Sequence, residues 1–395
     1  MGTEGIKRKQ FLAGAAAVGV TAATGSFLTA GRAEAAGRGG VAGRDDETGR
    51  PAGAGAGHRR GLTYRGVCYE ATAGETPGTG WTLARMRADI GAIKDRLHAN
   101  SVSIYGTGVE RLTATAAEAA ERGLHVWLQP RMGDRPHREI LDHLAETGRY
   151  AERLRRQGAR VHLSVGCEFF LFVPGIVPGK DVLERIDNLL KGTFDRELMA
   201  RRLRAFIARS AAVGRSVFRG PLTYGGAHGD DVDWNLFDIV SVNYYGYHPR
   251  RADYVRELEG YRRWGKPVAI SEFGTCAYKG APKRGGMAWN VIDRSKPEPE
   301  IVGNLVRSER VQAAYLTDML DVFESMDLYA ALVFSFVDRE SPHIPENPRR
   351  DLDMATYSIV KVIRDRHDDP PSLWHWEPKQ AFHALARHYA RRGRC

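Results

Sequence analysis

The chain has 395 residues, 43% hydrophobic and 27% charged, with a formal net charge of +10. This is an ordinary globular composition with material for one large domain or two smaller ones, and nothing in it marks a fibrous or low-complexity chain as a whole. The basic excess is spread along helix faces such as Arg201-Arg202-Leu203-Arg204 with no RNA- or DNA-binding motif, so nucleic acid is not an expected partner, although an acidic polymer would be attracted to such a surface.

In chain order, residues 1–35 read as an export signal. Lys7, Arg8 and Lys9 precede Phe11 and Leu12, an Ala/Gly/Val-rich run follows, and Ala33-Glu34-Ala35 offers a cleavage site. Arg8-Lys9-Gln10-Phe11-Leu12 is similar to the twin-arginine type with lysine in the second basic place, which implies a secreted or cell-surface protein. The run is short and poor in large apolar residues, so no stable membrane span is expected after cleavage. Residues 36–60, rich in Gly, Ala and Arg, have no apolar periodicity and read as a disordered tether. Residues 61–395 then form one domain.

Within that domain, short β-rich runs alternate with helical ones. Strands are expected at Tyr64–Tyr69, Ser101–Tyr105, His125–Gln129, Val161–Val165, Leu222–Tyr224, Ile239–Tyr244, Lys266–Thr275 (its core Val268-Ala269-Ile270) and Ala331–Phe336. Helices are expected at Leu83–His98, Ala114–Arg122, Arg138–Gln157, Asp181–Leu190, Glu197–Val213, Ser308–Ser325 and Leu373–Tyr389. Eight strands with helical connections fit a single-domain (β/α)8 TIM barrel, whose chemistry sits at the C-terminal ends of the strands. A doubly wound sheet is the rival, but no Gly-rich phosphate fingerprint follows the first strand.

Two glutamates fall at strand ends, Glu168 after the fourth strand and Glu272 on the seventh, so both project from the same face. Two carboxylates across a cleft suit glycoside hydrolysis, where one is protonated to release the leaving oxygen and the other is ionised. Arg131 and Glu70 lie on that face as groups for sugar binding or for orienting the pair. Tyr105, Tyr244, Tyr245, Tyr247 and Trp289 are candidate platforms for pyranose rings, and Asp338 is a candidate hydroxyl ligand. Cys68, Cys167, Cys276 and Cys395 have no metal spacing, nor do His228 and His248, so no metal or cofactor is expected.

With GCEF at 166–169, VNYYGY at 242–247, ISEFG at 270–274 and WEPKQAF at 376–382, the chain resembles the retaining, barrel-fold glycoside hydrolases of clan A. The resemblance implies Glu168 as general acid/base, Glu272 as nucleophile, Tyr244 or Tyr245 as a hydrogen-bonding neighbour of the nucleophile, and an oligo- or polysaccharide substrate. The chain departs from the family at Cys167, where an asparagine usually grips the sugar's 2-hydroxyl; a thiol donates poorly. The alternative is a carbohydrate-binding barrel that has lost hydrolysis.

Overall fold

A computed structural model describes residues 61–71, 81–367, 369 and 372–392. The expected export signal and tether lie outside the described residues. Among those described, no helix is long and apolar enough to cross a membrane.

The eight expected strands form a closed parallel barrel: β1 (Tyr64–Glu70), β2 (Ser101–Gly106), β3 (His125–Pro130), β4 (Val161–Cys167), β5 (Leu222–Ala227), β6 (Val240–Asn243), β7 (Val268–Phe273) and β8 (Ala330–Val333). Each strand pairs with its chain neighbours and β1 closes on β8. Strands β2 to β8 are buried at every position, as the near-continuous apolar runs predicted.

The outer helices are α1 (Leu83–Gly91), α2 (Val109–Glu121), α3 (His137–Arg156), the single turn α4 (Phe169–Phe172), α5 (Val182–Lys191), α6 (Arg196–Val217), α7 (Arg251–Glu259), α8 (Glu309–Ser325) and α9 (Gln380–Arg392). Their ends follow local chemistry. Asp181 caps α5 by accepting from the Glu184 amide at 3.0 Å, Gly192 ends it at φ 67°, and Asp195 caps α6 at the Leu198 amide at 2.9 Å. The expected first helix stops at Gly91 and runs on as a π-turn, Ala92–Arg96.

The C-terminal expectation is corrected. Leu373–Tyr389 is not one helix: Trp374–Pro378 is a strand, antiparallel to Val360–Arg364, and α9 begins only at Gln380. Trp374 is buried while His375 and Glu377 are exposed, a period of two that serves a ribbon, and Pro378 lacks the amide a helix interior needs. The ribbon lets Trp376 meet Phe336 edge-on at 5.3 Å and donate to Asp89 Oδ1 at 2.8 Å, fixing the chain end to the barrel wall.

Candidate active site

Glu168 follows the last residue of β4 and Glu272 lies on β7, and the barrel brings both to its C-terminal end. Glu168 adopts a left-handed backbone, φ 40° and ψ 52°, a conformation that costs a non-glycine residue about 1 kcal/mol or more. Neighbours hold it there: its amide donates to Gly225 O at 2.9 Å, and the Phe169 amide donates to Tyr224 Oη at 2.9 Å. Two residues earlier, a Cβ at Gly166 would meet the Phe169 ring at 2.2 Å, so only glycine lets the strand turn under that ring.

The two carboxylates have different surroundings. Glu272 accepts from Arg131 Nη2 at Oε1 and from Tyr245 Oη at Oε2 (3.0 Å), and the Cys167 thiol lies 3.7 Å from Oε1. Arg131 is itself fixed, donating from Nε to Gln129 Oε1 at 2.9 Å and lying 4.1 Å above the Tyr105 ring, which stacks on Phe334 at 5.8 Å. Glu168 accepts at Oε1 from Asn243 Nδ2 at 3.0 Å, while its Oε2 is buried with no partner. Arg131 Nη1 is likewise buried and unpartnered.

Burial, followed by the negative charge of Glu272, pushes the Glu168 carboxyl well above the usual carboxylate range. Burial raises Glu272 too, but the Arg131 charge and the bonds from Arg131, Tyr245 and Cys167 pull it back. Both carboxyls are therefore raised, Glu168 the further of the two, so a proton shared by the pair is held more readily on Glu168 than on Glu272. Both are closed from solvent, 0% and 1% exposed.

The other expected site residues are placed as follows. Tyr245, not Tyr244, meets Glu272. Tyr244 turns outward to Glu257, whose carboxylate also receives His248 Nε2 at 2.7 Å and His228 Nε2 at 2.9 Å. Tyr105 is 3% and Trp289 2% exposed, so neither presents an open ring face to solvent; Trp289 lies under the Arg294 guanidinium at 5.5 Å. Glu70 ends β1 beside Tyr105 of β2, and its carbonyl accepts from Arg339 at 3.1 Å. Asp338, on the loop after β8, accepts from the Glu340 amide at 3.1 Å.

Asn243 and Gln129 escaped the sequence reading. Asn243 opens the NYYGY run at the end of β6, so its position was visible, but its contact with Glu168 depends on the register that sets it beside Glu272. Two clusters among the described residues have metal-ligand types: Asp321-Glu324-His388 and His343-Asp351-Asp353. In the second, Arg307 pairs with Asp351 at 3.1 Å and Asp353 at 2.8 Å, and Lys379 with Asp353 at 2.9 Å, so cations of the chain already fill the charge role. Cys68, Cys167 and Cys276 are free and buried.

No protein-family model matches the chain, and no curated protein matches it in sequence. Solved structures do match in shape. A GH113 beta-mannanase of Alicyclobacillus acidocaldarius has a TM-score of 0.54 at 16% identity, covering 84% of this chain and 98% of its own. A GH113 beta-1,4-mannanase scores 0.51 at 14% identity, covering 78% and 93%. A GH2 beta-galacturonidase of Eisenbergiella tayi scores 0.51 at 17% identity, covering 84% of this chain but 51% of its own. The chain thus has the fold of the barrel glycoside hydrolases, a closed (β/α)8 barrel.

Proposed function

We propose that the chain is a retaining glycoside hydrolase in which Glu272 is the nucleophile and Glu168 the general acid/base. The observation that carries this is the unequal setting of two neighbouring buried carboxylates: one bound by a guanidinium and a phenol, the other by a single amide with its second oxygen bare. In the first step a Glu272 oxygen attacks the anomeric carbon while the proton on Glu168 passes to the glycosidic oxygen, and the leaving alcohol departs. In the second step Glu168, now ionised, takes a proton from water as that water attacks the same carbon, and Glu272 is released as carboxylate. Asn243 occupies Oε1 of Glu168, which leaves Oε2 as the oxygen to carry the proton. Arg131 Nη1 is a donor without a protein partner in the same ring of residues, suited to a sugar hydroxyl in a site where Cys167 donates poorly.

The substrate is an oligo- or polysaccharide, and the protein is exported, a reading that rests on residues 1–35. The test is mechanism-based trapping with a panel of 2-deoxy-2-fluoro glycosides, followed by peptide mapping. A covalent adduct on Glu272, absent in Glu272→Gln, is expected. An adduct elsewhere, or turnover retained in Glu272→Gln, defeats the assignment.

Complete closure of the pair favours a second reading, a carbohydrate-binding barrel without hydrolysis. That reading expects glycan binding and no adduct on Glu272 with any member of the panel.

A further inference from the structure

Beyond the carboxylate pair, one groove of about 510 Å3 lies between α7 and α8, lined by Tyr247, Tyr254, Tyr315, Arg251, Asp318 and Asp321 among others. Its volume falls within the range of small-ligand sites. Tyr247, at 41% exposure, is the only aromatic among the exposed large hydrophobic residues of the described chain. It sits two residues after Tyr245 on the loop leaving β6. That loop is held rigidly: Tyr315 donates its hydroxyl to Gly246 O at 2.8 Å, and the His248 amide donates to Tyr254 Oη at 2.8 Å. A Cβ at Gly246 would strike the Tyr244 hydroxyl at 2.5 Å, so the turn presenting Tyr247 tolerates no side chain there.

The polar lining narrows the occupant. Arg251 turns its guanidinium to the Asp321 carbonyl, so one positive charge lies in the groove beside the carboxylates of Asp318 and Asp321. Burial and then the Asp321 charge raise the Asp318 carboxyl, ahead of the opposite pull of Arg251. With two carboxylates and one guanidinium the groove has no share in the basic excess of a chain of net charge +10, so it offers a polyuronate no net attraction. An exposed phenol face beside carboxylate acceptors matches a neutral pyranose chain, whose ring face is apolar and whose edges are hydroxyl donors.

We propose that this groove is a second saccharide site, separate from Glu168 and Glu272, that takes a stretch of uncharged glycan with Tyr247 as its stacking surface. The choice of a glycan rests on the proposed hydrolase function, but binding here needs no turnover. The test immobilises soluble glucomannan and polygalacturonate and measures binding of the full chain by interferometry at about 0.3 M salt, where distant charges are screened. Wild type and Glu272→Gln are expected to bind glucomannan alike. Tyr247→Ala should bind about tenfold more weakly and Tyr247→Trp should retain binding, the size of one aromatic contact.

Four results overturn the proposal: no glucomannan binding by wild type, binding unchanged in Tyr247→Ala, a preference for polygalacturonate that depends on Tyr247, or a dimer in sedimentation that Tyr247→Ala abolishes. Failure of the hydrolase reading looks different, since Glu272 then takes no covalent label while Tyr247-dependent binding persists.

Discussion

One amide nitrogen of Asn243 reaches both Cys167 Sγ, at 3.2 Å, and Glu168 Oε1, at 3.0 Å, while its carbonyl oxygen accepts from Ser271 Oγ at 2.8 Å. Ser271 precedes Glu272 in the chain. Asn243 therefore ties the end of β4, which leads into Glu168, to β7, which carries Glu272, and the Ser271 hydroxyl fixes which way the amide faces.

Because Asn243 donates to the ionised form of Glu168, it lowers a carboxyl that burial raises. Asn243→Ala should move the Glu168 titration further up, shifting the alkaline limb of kcat/KM to higher pH and cutting kcat about tenfold. The pH–rate profile on an aryl glycoside that the protein turns over measures both; an unmoved alkaline limb would show that Asn243 does not tune Glu168.

Arg131 and Glu272 form an ion pair with side chains 6% and 2% exposed. Removing either charge leaves the other buried without its partner, which costs about 3–5 kcal/mol when a buried pair is broken. Arg131→Met should therefore unfold at lower denaturant and raise the titration of Glu272. Glu272→Gln should also be destabilised, though less, since its amide oxygen still accepts from Arg131. A double-mutant cycle by urea unfolding checks this: additivity within about 0.5 kcal/mol would contradict the coupling.

The opposite end of the barrel carries a buried histidine pair. His125 stacks on Tyr64 at 3.7 Å and lies 4.1 Å from His162. Burial, then the neighbouring His162, lowers His125 to about 2, and burial lowers His162 to about 4. Both are neutral when folded and titrate near 6.5 when unfolded, so the unfolded chain binds more protons below that pH. Stability should be flat above about pH 6.5 and fall below it by up to about 1.4 kcal/mol per pH unit for each histidine. Urea titrations from pH 7 to 5 test this, and His125→Phe should flatten part of the slope.

Cys68, Cys167 and Cys276 are 1%, 2% and 0% exposed, and burial pushes all three thiols up. Their thiolate fraction at neutral pH is small and a reagent has no path to them. Mapping after treatment with an aromatic disulfide reagent should find all three unlabelled in the native protein and labelled in denaturant. Native labelling of Cys167 would mean that the carboxylate face opens to solvent.

Much of this molecule was readable in one dimension. Apolar runs of four to seven residues separated by helical stretches specify a parallel barrel, because strands covered on both faces need no alternation. The count of strands then places Glu168 and Glu272 at the same end. The misread segment, Leu373–Tyr389, failed where aromatic spacing fits a helix or a ribbon, although its partner Val360–Arg364 lies in a β-branched run that favours a strand by itself.

The sequence by itself determined that Glu168 and Glu272 share one end of the barrel, since that follows from strand order. Only the tertiary structure decided how they differ. Arg131 after β3, Tyr245 after β6 and Cys167 from β4 converge on Glu272, whereas Asn243 from β6 serves Glu168, and none of these pairings is local in the chain. Protonation depends on burial and on charges and donors within a few ångströms, which strand order constrains but does not set. The same holds for Tyr244 and Tyr245: adjacent in sequence, they point to opposite sides of one strand end, one toward Glu257 and the other toward Glu272.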